Sequence, residues 1–377
     1  MVSFAAIMIL LVPAFILCIT YAALLLFYRQ AWIRIAEFDP EKKEATTGIS
    51  VIIPARNEEE NIERLLYALM NQTYPPHLYE IIVVDDDSTD KTAELVSQFH
   101  AVKLLRLKIN THAHKKKAIE AGIEASKHNL IVTTDADCVP GQNWLWAVAA
   151  FKEQTNAVMI AGPVAYSDNG SLFQIFQSLD FMTLQGITGV SLYKEIHGMG
   201  NGANLAYEKK VFGEVNGFAG IDEIASGDDM LLIQKMIDHY PDRVLYLKST
   251  EAIVTTQPSK TRNEFLNQRI RWASKALYYN NSKIILTLVL VYLFNLLFPV
   301  LLFAGLWDQR YWLVMIALLI IKSFTEYLFI KPVSRFFRKE RLLNYFILLQ
   351  PLHILYTLIA GFLGQWGKYE WKGRRVR

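Results

Sequence analysis

From residue 2 to residue 28 the chain carries no charged side chain. A helix of about 27 residues at 1.5 Å each is about 40 Å long, more than a hydrocarbon core of about 30 Å, so one tilted membrane crossing is expected there. Arg29 and Arg34 follow this run and nothing basic precedes it, a pattern of an uncleaved anchor and not of a secretory signal. Because Lys and Arg collect on the cytoplasmic side, the amino terminus is expected outside and the next region in the cytoplasm. Three further apolar stretches lie at residues 284–307, 311–330 and 342–364. Only Asp308, Gln309 and Arg310 separate the first two, which predicts a hairpin that returns Lys331, Arg335, Arg338, Lys339 and Arg341 to the cytoplasm. The last stretch is interrupted by Gln350, Pro351 and His353, and a full crossing would put Lys368, Lys372, Arg374, Arg375 and Arg377 outside. A span and a re-entrant or interfacial element remain equal alternatives for it. Glu326, inside the third stretch, is either buried against protein or near the interface, and reads as a paired structural carboxylate in preference to a transport residue.

Between residues 48 and 162 the pattern changes. Short β-branched runs at 49–53, 81–84, 102–106, 130–134 and 157–161 alternate with helical periodicity. Ile62, Leu65, Leu66 and Leu69 repeat as one face of an amphipathic helix covering a sheet, and Leu95, Val96 and Phe99 are expected to face inward from a second helix. The alternation predicts α/β architecture with a mostly parallel sheet, in which ligands bind at the carboxyl ends of the strands.

Composition narrows the class. Of 377 residues, 52% are hydrophobic and 20% charged, which disfavours both a purely soluble enzyme and a wholly lipid-embedded carrier. The 39 Lys plus Arg against 36 Asp plus Glu leave a formal charge of +3, too little for a nucleic-acid-binding surface. Cys18 and Cys138 are too few for a disulfide framework or a zinc site.

The strand ends carry acids where a nucleotide-binding chain often carries glycines. The first strand runs into Pro54, Ala55, Arg56, Asn57 and Glu58, and the second into Asp85, Asp86, Asp87 and Ser88; neither G-x-G-x-x-G nor a P-loop follows. Asp85 to Asp87 are either turn and cap chemistry, or acceptors for a ribose hydroxyl, a base N–H or a phosphate-holding cation. The fourth strand ends in Asp135-Ala136-Asp137, whose alternating carboxylates can share one Mg²⁺ or Mn²⁺ with substrate phosphates. Ser226-Gly227-Asp228-Asp229 precedes a helical run: a cap, or a general base for an acceptor hydroxyl. Gln268-Arg269-Ile270-Arg271-Trp272 is either an interfacial anchor, or Arg271 on a diphosphate with Trp272 as a platform for a sugar or lipid acceptor.

As a set, these motifs resemble membrane-bound family 2 glycosyltransferases of the GT-A fold, over residues 48–272. The resemblance implies a nucleotide-sugar site made of Pro54, Ala55, Arg56, Glu58, Asp85, Asp86, Lys115, Asp135, Asp137 and Arg271, with Asp135 and Asp137 holding Mg²⁺ or Mn²⁺. Asp229, with Asp228, would be the catalytic base; Gly202, Asn204, Gln268, Arg269 and Trp272 would meet the acceptor. Lys115 matches a family lysine, although His114 replaces the glycine usual before it, and the tail Glu370-Trp371-Lys372-Gly373-Arg374 is similar to bacterial carotenoid-type glycosyltransferases. The domain expectation is an anchor at 1–28, a cytoplasmic GT-A domain at 48–255, an interfacial segment at 256–281, a membrane region at 282–364 and a basic tail at 365–377. The implied reaction is inverting transfer from a UDP-type sugar to a lipid or glycan acceptor, in an integral protein of a bacterial inner (plasma) membrane. A processive synthase of the cellulose, hyaluronan or poly-N-acetylglucosamine type is the alternative within the family. A non-catalytic scaffold or nucleotide-sugar sensor is the alternative outside it.

Overall fold

Two compact units make up the computed structural model, which describes residues 4–41, 44–107, 114–167, 170–196, 198–221, 227–275, 281–365, 369–371 and 374–376. Ser226, Lys368, Lys372, Gly373 and Arg377, all named above, lie outside the described residues. In chain order the elements are α1 (Phe4–Arg34), β1 (Ile49–Ala55), α2 (Ile62–Met70), β2 (Tyr79–Asp86), α3 (Thr92–Ser97), β3 (Val102–Leu107), α4 (His114–Glu124), β4 (Leu130–Thr133), β5 (Val139–Pro140), α5 (Trp144–Gln154), β6 (Met159–Ala161) and β7 (Val164–Tyr166). Then come α6 (Leu172–Tyr193), β8 (Leu205–Glu208), α7 (Lys209–Glu214), α8 (Asp228–His239), β9 (Val244–Tyr246), β10 (Val254–Thr256), α9 (Arg262–Ser274), α10 (Ser282–Ala304), α11 (Arg310–Phe336), α12 (Gln350–Gly364), β11 (Tyr369–Trp371) and β12 (Arg374–Val376).

One unit, residues 35–168 and 187–258, is built on a seven-stranded sheet of order β3-β2-β1-β4-β8-β6-β9. β3, β2, β1 and β4 run parallel, and β8 alone is reversed against β4 and β6. Near-continuous β-branched and aliphatic residues mark a strand covered on both faces, and β1 and β4 are buried accordingly. The face of α2 is the expected one, with Ile62, Leu65, Leu66 and Leu69 all fully buried. In α3, Val96 is buried but Leu95 is half-exposed, because the helix ends at Ser97 and Phe99 packs from beyond it. The reversed β8 and the small sheet β5-β10-β7 were not foreseen; strands of two to four residues are too short to show a period of two.

The other unit comprises residues 1–34, 169–186 and 259–377. Among the described residues, three of its helices are long and apolar enough to cross a membrane: residues Leu10–Arg34 of α1, together with α10 and α11. Side chains such as Phe15, Leu286, Phe303 and Ile320 are left exposed on them, as lipid-facing positions are. Their shared faces join through rings: Tyr21 on Phe294 at 4.6 Å, Tyr28 on Phe329 at 6.0 Å, Trp32 edge-on to Phe336 at 5.6 Å. The fourth apolar stretch divides into a 3₁₀ turn at Glu340–Tyr345 and α12. Fifteen residues in α12 give about 22 Å, short of a bilayer core of about 30 Å, with Pro351 in the first turn where its missing amide is harmless. Glu326 is buried and paired with Lys322 at 2.6 Å, the first of its two readings.

Candidate active site

β1, β2 and β4 end on one edge of the sheet, so the residues after them are set side by side at spacings of about 4.8 Å per strand. Two of the connecting loops are laced together. The Asn57 amide donates to Ser88 Oγ at 3.0 Å, Glu58 N–H to Thr92 Oγ1 at 2.8 Å and Glu59 N–H to Asp90 Oδ2 at 3.1 Å, while Asn57 Oδ1 accepts from the Thr89 amide at 2.9 Å. Asn57 and Asp87 take left-handed backbone conformations (φ 51° and 54°), which short polar side chains tolerate. Partial burial pushes the Asp90 carboxyl up, but hydrogen bonds from Thr92 and Glu59 outweigh it and hold it below the usual range. Asp90 is thus a loop clasp. Pro54 and Ala55 close β1, and Glu58 accepts from Asn61 Nδ2 at 2.8 Å at the start of α2. Asp85 and Asp86 are both buried at the end of β2, and Arg56 donates to the Asp86 carbonyl at 2.5 Å and lies 3.7 Å from its carboxylate.

A second group forms around Lys115. Its Nζ lies 2.7 Å from Asp135 Oδ1 and 3.3 Å from Asp228 Oδ2. Burial pulls the pKa of Lys115 down, but Asp135, Asp228 and Asp229 outweigh it, so the ammonium is held charged well above the ordinary lysine range. Three lysines in the first turn of α4 oppose its helix dipole, yet each has an acceptor: Lys115 these acids, Lys116 the Ile221 carbonyl at 2.5 Å, Lys117 Glu120 at 2.7 Å. Asp228 and Asp229 occupy the first turn of α8, where negative charge is favoured, and Gly227 precedes them at φ 81°, a conformation that suits glycine. Asp229 Oδ2 accepts from the Gly202 amide at 3.3 Å and Oδ1 from the Met230 amide at 2.7 Å. A Cβ on Gly202 would lie 3.2 Å from Lys115 Nζ and 3.3 Å from Asp228 Oδ2. Lys115, Asp135, Gly202, Asp228 and Asp229, separated by up to 114 positions in the chain, therefore form one cluster.

The donor set fits a hard divalent ion. Asp135 and Asp137 are both partly exposed, and no group of three ligating side chains exists among the described residues. Two carboxylates without a protein cage suit an ion shared with substrate phosphates. Burial, then Asp137 and Asp135, push the Cys138 thiol well up, so it stays protonated and offers no thiolate to a soft metal.

Two expected acceptor residues are placed otherwise. Asn204 is 3% exposed; its Oδ1 accepts from Trp144 Nε1 at 3.0 Å and its Nδ2 donates to the Pro163 and Ala252 carbonyls at 2.9 and 2.8 Å. Its amide ties three segments together and leaves no donor for a substrate. Arg269, 4% exposed, is ion-paired with Asp180 at 2.6 Å inside the membrane unit. In the same helix Gln268, Arg271 and Trp272 are half-buried. Reasoning from sequence also missed Tyr207, buried behind Lys115 and Asp228, and Lys235, which donates to the Gly217 and Ala219 carbonyls at 2.7 and 2.9 Å. Tyr207 lies in a four-residue strand whose first three residues are all buried, and neither it nor Lys235 has a local signal.

Residues 50–215 match the family described as Glycosyl transferase family 2. The matched segment covers less than half of the chain and is similar to family 2 glycosyltransferases. The solved mannosyltransferase PcManGT from Pyrobaculum calidifontis, in complex with GDP-Man and Mn²⁺, superposes with a TM-score of 0.59 over 95% of this chain and 99% of that one, at 18% identity, and shares the GT-A-like fold. Glycosyltransferase AglE of Haloferax volcanii is 28% identical over 228 residues, which are 59% of this chain and 71% of AglE. Beta-monoglucosyldiacylglycerol synthase of a Nostoc species is 29% identical over 163 residues, 40% of this chain but only 34% of the synthase. The chain thus spans about a third of the length of that relative.

Proposed function

We propose that this protein moves one sugar from a nucleotide sugar, of the UDP type, to a lipid acceptor, with inversion at the anomeric carbon. The observation that carries the reading is the cluster in which Lys115 joins Asp135 to Asp228 while Asp229 is held beside Gly202, in a chain with three membrane-length helices. Asp85, Asp86 and Arg56 bind the nucleoside, Lys115 the diphosphate. Asp229 takes the proton of the acceptor hydroxyl; its oxygen forms the new bond to the anomeric carbon as the bond to phosphate breaks, and the nucleoside diphosphate leaves with the electron pair. Asp135 and Asp137 would hold a divalent ion, which would supply neutralisation of the leaving diphosphate. Gln268, Arg271 and Trp272 serve the acceptor and diphosphate ends.

Orientation follows from charge: with three crossings, Arg29, Arg34, Arg335, Arg338 and Lys339 all fall on the cytoplasmic side together with the catalytic unit, in a bacterial plasma membrane. Membranes enriched in the protein are incubated with a panel of radiolabelled nucleotide sugars and Mg²⁺ or Mn²⁺. One label is expected to enter the organic phase, to be lost on chelation, and to fall by about 10²-fold or more in Asp229→Asn while nucleotide binding persists. Label retained at the chromatographic origin as polymer, or equal turnover by Asp229→Asn, overturns the reading.

A further inference from the structure

Arg269 does not behave as a free side chain. Its Nε and Nη2 donate to one oxygen of Asp180 at 2.9 and 2.6 Å, its Nη1 donates to Gln268 Oε1 at 2.6 Å, and its Cζ lies over the rings of Phe265 at 4.5 Å and Trp272 at 4.3 Å. The other oxygen of Asp180 accepts the Tyr356 hydroxyl from α12. Trp272 is further located by the ring of Phe181, 6.1 Å away and one residue after Asp180 on α6. The network continues into the spans. His353, one turn before Tyr356, meets that ring edge-on at 5.4 Å and lies 3.5 Å from Lys322 Nζ; Lys322 bonds Glu326 and Gln350, and Glu326 accepts the Tyr21 hydroxyl from α1.

Burying an ion pair of this kind gives little net stability, because the desolvation of both charges offsets their attraction; apolar residues of equal volume do as well. What the pair does provide is direction. A planar guanidinium held at three nitrogens and set against two rings fixes the orientation of its neighbours on α9, among them the Gln268 amide and the Trp272 ring. We propose that Asp180 and Tyr356 are positioning residues: through Arg269 they set the geometry of Gln268 and Trp272, and with it the affinity for the acceptor. The assignment rests on the proposed role of α9 in acceptor binding.

The test uses the full chain in detergent or nanodiscs, with Asp180→Asn, Asp180→Glu and Tyr356→Phe. Two readings are taken: hydrogen exchange of the α9 amides, and KM for acceptor and for donor with kcat. Asp180→Asn is expected to raise α9 exchange and the acceptor KM by tenfold or more, with the donor KM and the exchange of β1 and β2 unchanged. Tyr356→Phe shifts both readings in the same direction and by less, and Asp180→Glu restores part of the loss. If Asp180→Asn does not accumulate folded, Tyr356→Phe decides by the same readings. Unchanged α9 exchange and acceptor KM, or equal loss in both KM values and kcat, overturns the proposal. Should the wild type move no sugar to any lipid, the functional reading fails by itself, and the exchange comparison alone then decides the positioning claim.

Discussion

A lysine between two carboxylates makes a prediction about pH. The pKa of Lys115 is raised, so its stabilising contribution is complete below the ordinary lysine value of about 10.4 and is lost only at higher pH, through the folded-state value. Wild-type stability is therefore flat in this respect between pH 5 and 8. In Lys115→Met, Asp135 and Asp228 lose the cation that both pair with. Thermal melts at neutral pH are expected to show a deficit of at least about 1 kcal/mol. At this scale the sequence was informative about residue type and silent about exposure. Asp85, Asp135 and Asp229 were singled out from their spacing after strands and before a helix. Asn204 and Arg269 were equally conspicuous letters, but each has its polar capacity taken by buried neighbours from distant segments, Trp144 and Ala252 for one and Asp180 for the other.

Among the elements, α4 shows how packing places chemistry. It carries Lys115 in its first turn and Gly122 two turns later, and a Cβ at Gly122 would lie 2.5 Å from Ile52 Cγ2 of β1 and 3.2 Å from Val84 Cγ2 of β2. Glycine here allows the helix to approach the sheet closely. Gly122→Val is expected to push α4 outward, costing about 1–3 kcal/mol in denaturant unfolding and lowering transfer activity, since Lys115 moves with the helix. The elements of period 3.6 and the buried central strands were legible because each repeats over enough residues to show its period. β7, β8, β9 and β10 were not, at three or four residues each.

For the whole molecule the decisive question is which segments share a side of the membrane. Among the described residues α1, α10 and α11 are membrane-length helices, and α12 is shorter than a bilayer core. In a cysteine-free background, Trp307→Cys, at a position 79% exposed in the turn after α10, is expected to react with an impermeant maleimide in intact cells. Arg335→Cys, at the exposed end of α11, is expected to react only after permeabilisation. The reverse pattern would place the catalytic unit outside.

Hydrophobic periodicity and charge placement by themselves determined the membrane-length helices, the α/β unit between them and the acidic strand ends, because each depends on neighbours within a few residues. Tertiary structure alone decided which polar groups remain available. Lys115, Asp135, Gly202 and Asp228 meet only after β8 has reversed against β4 and α4 has seated on the sheet. Whether a buried polar side chain faces substrate or another side chain depends on partners far away in the sequence, and those contacts exist only in the folded chain.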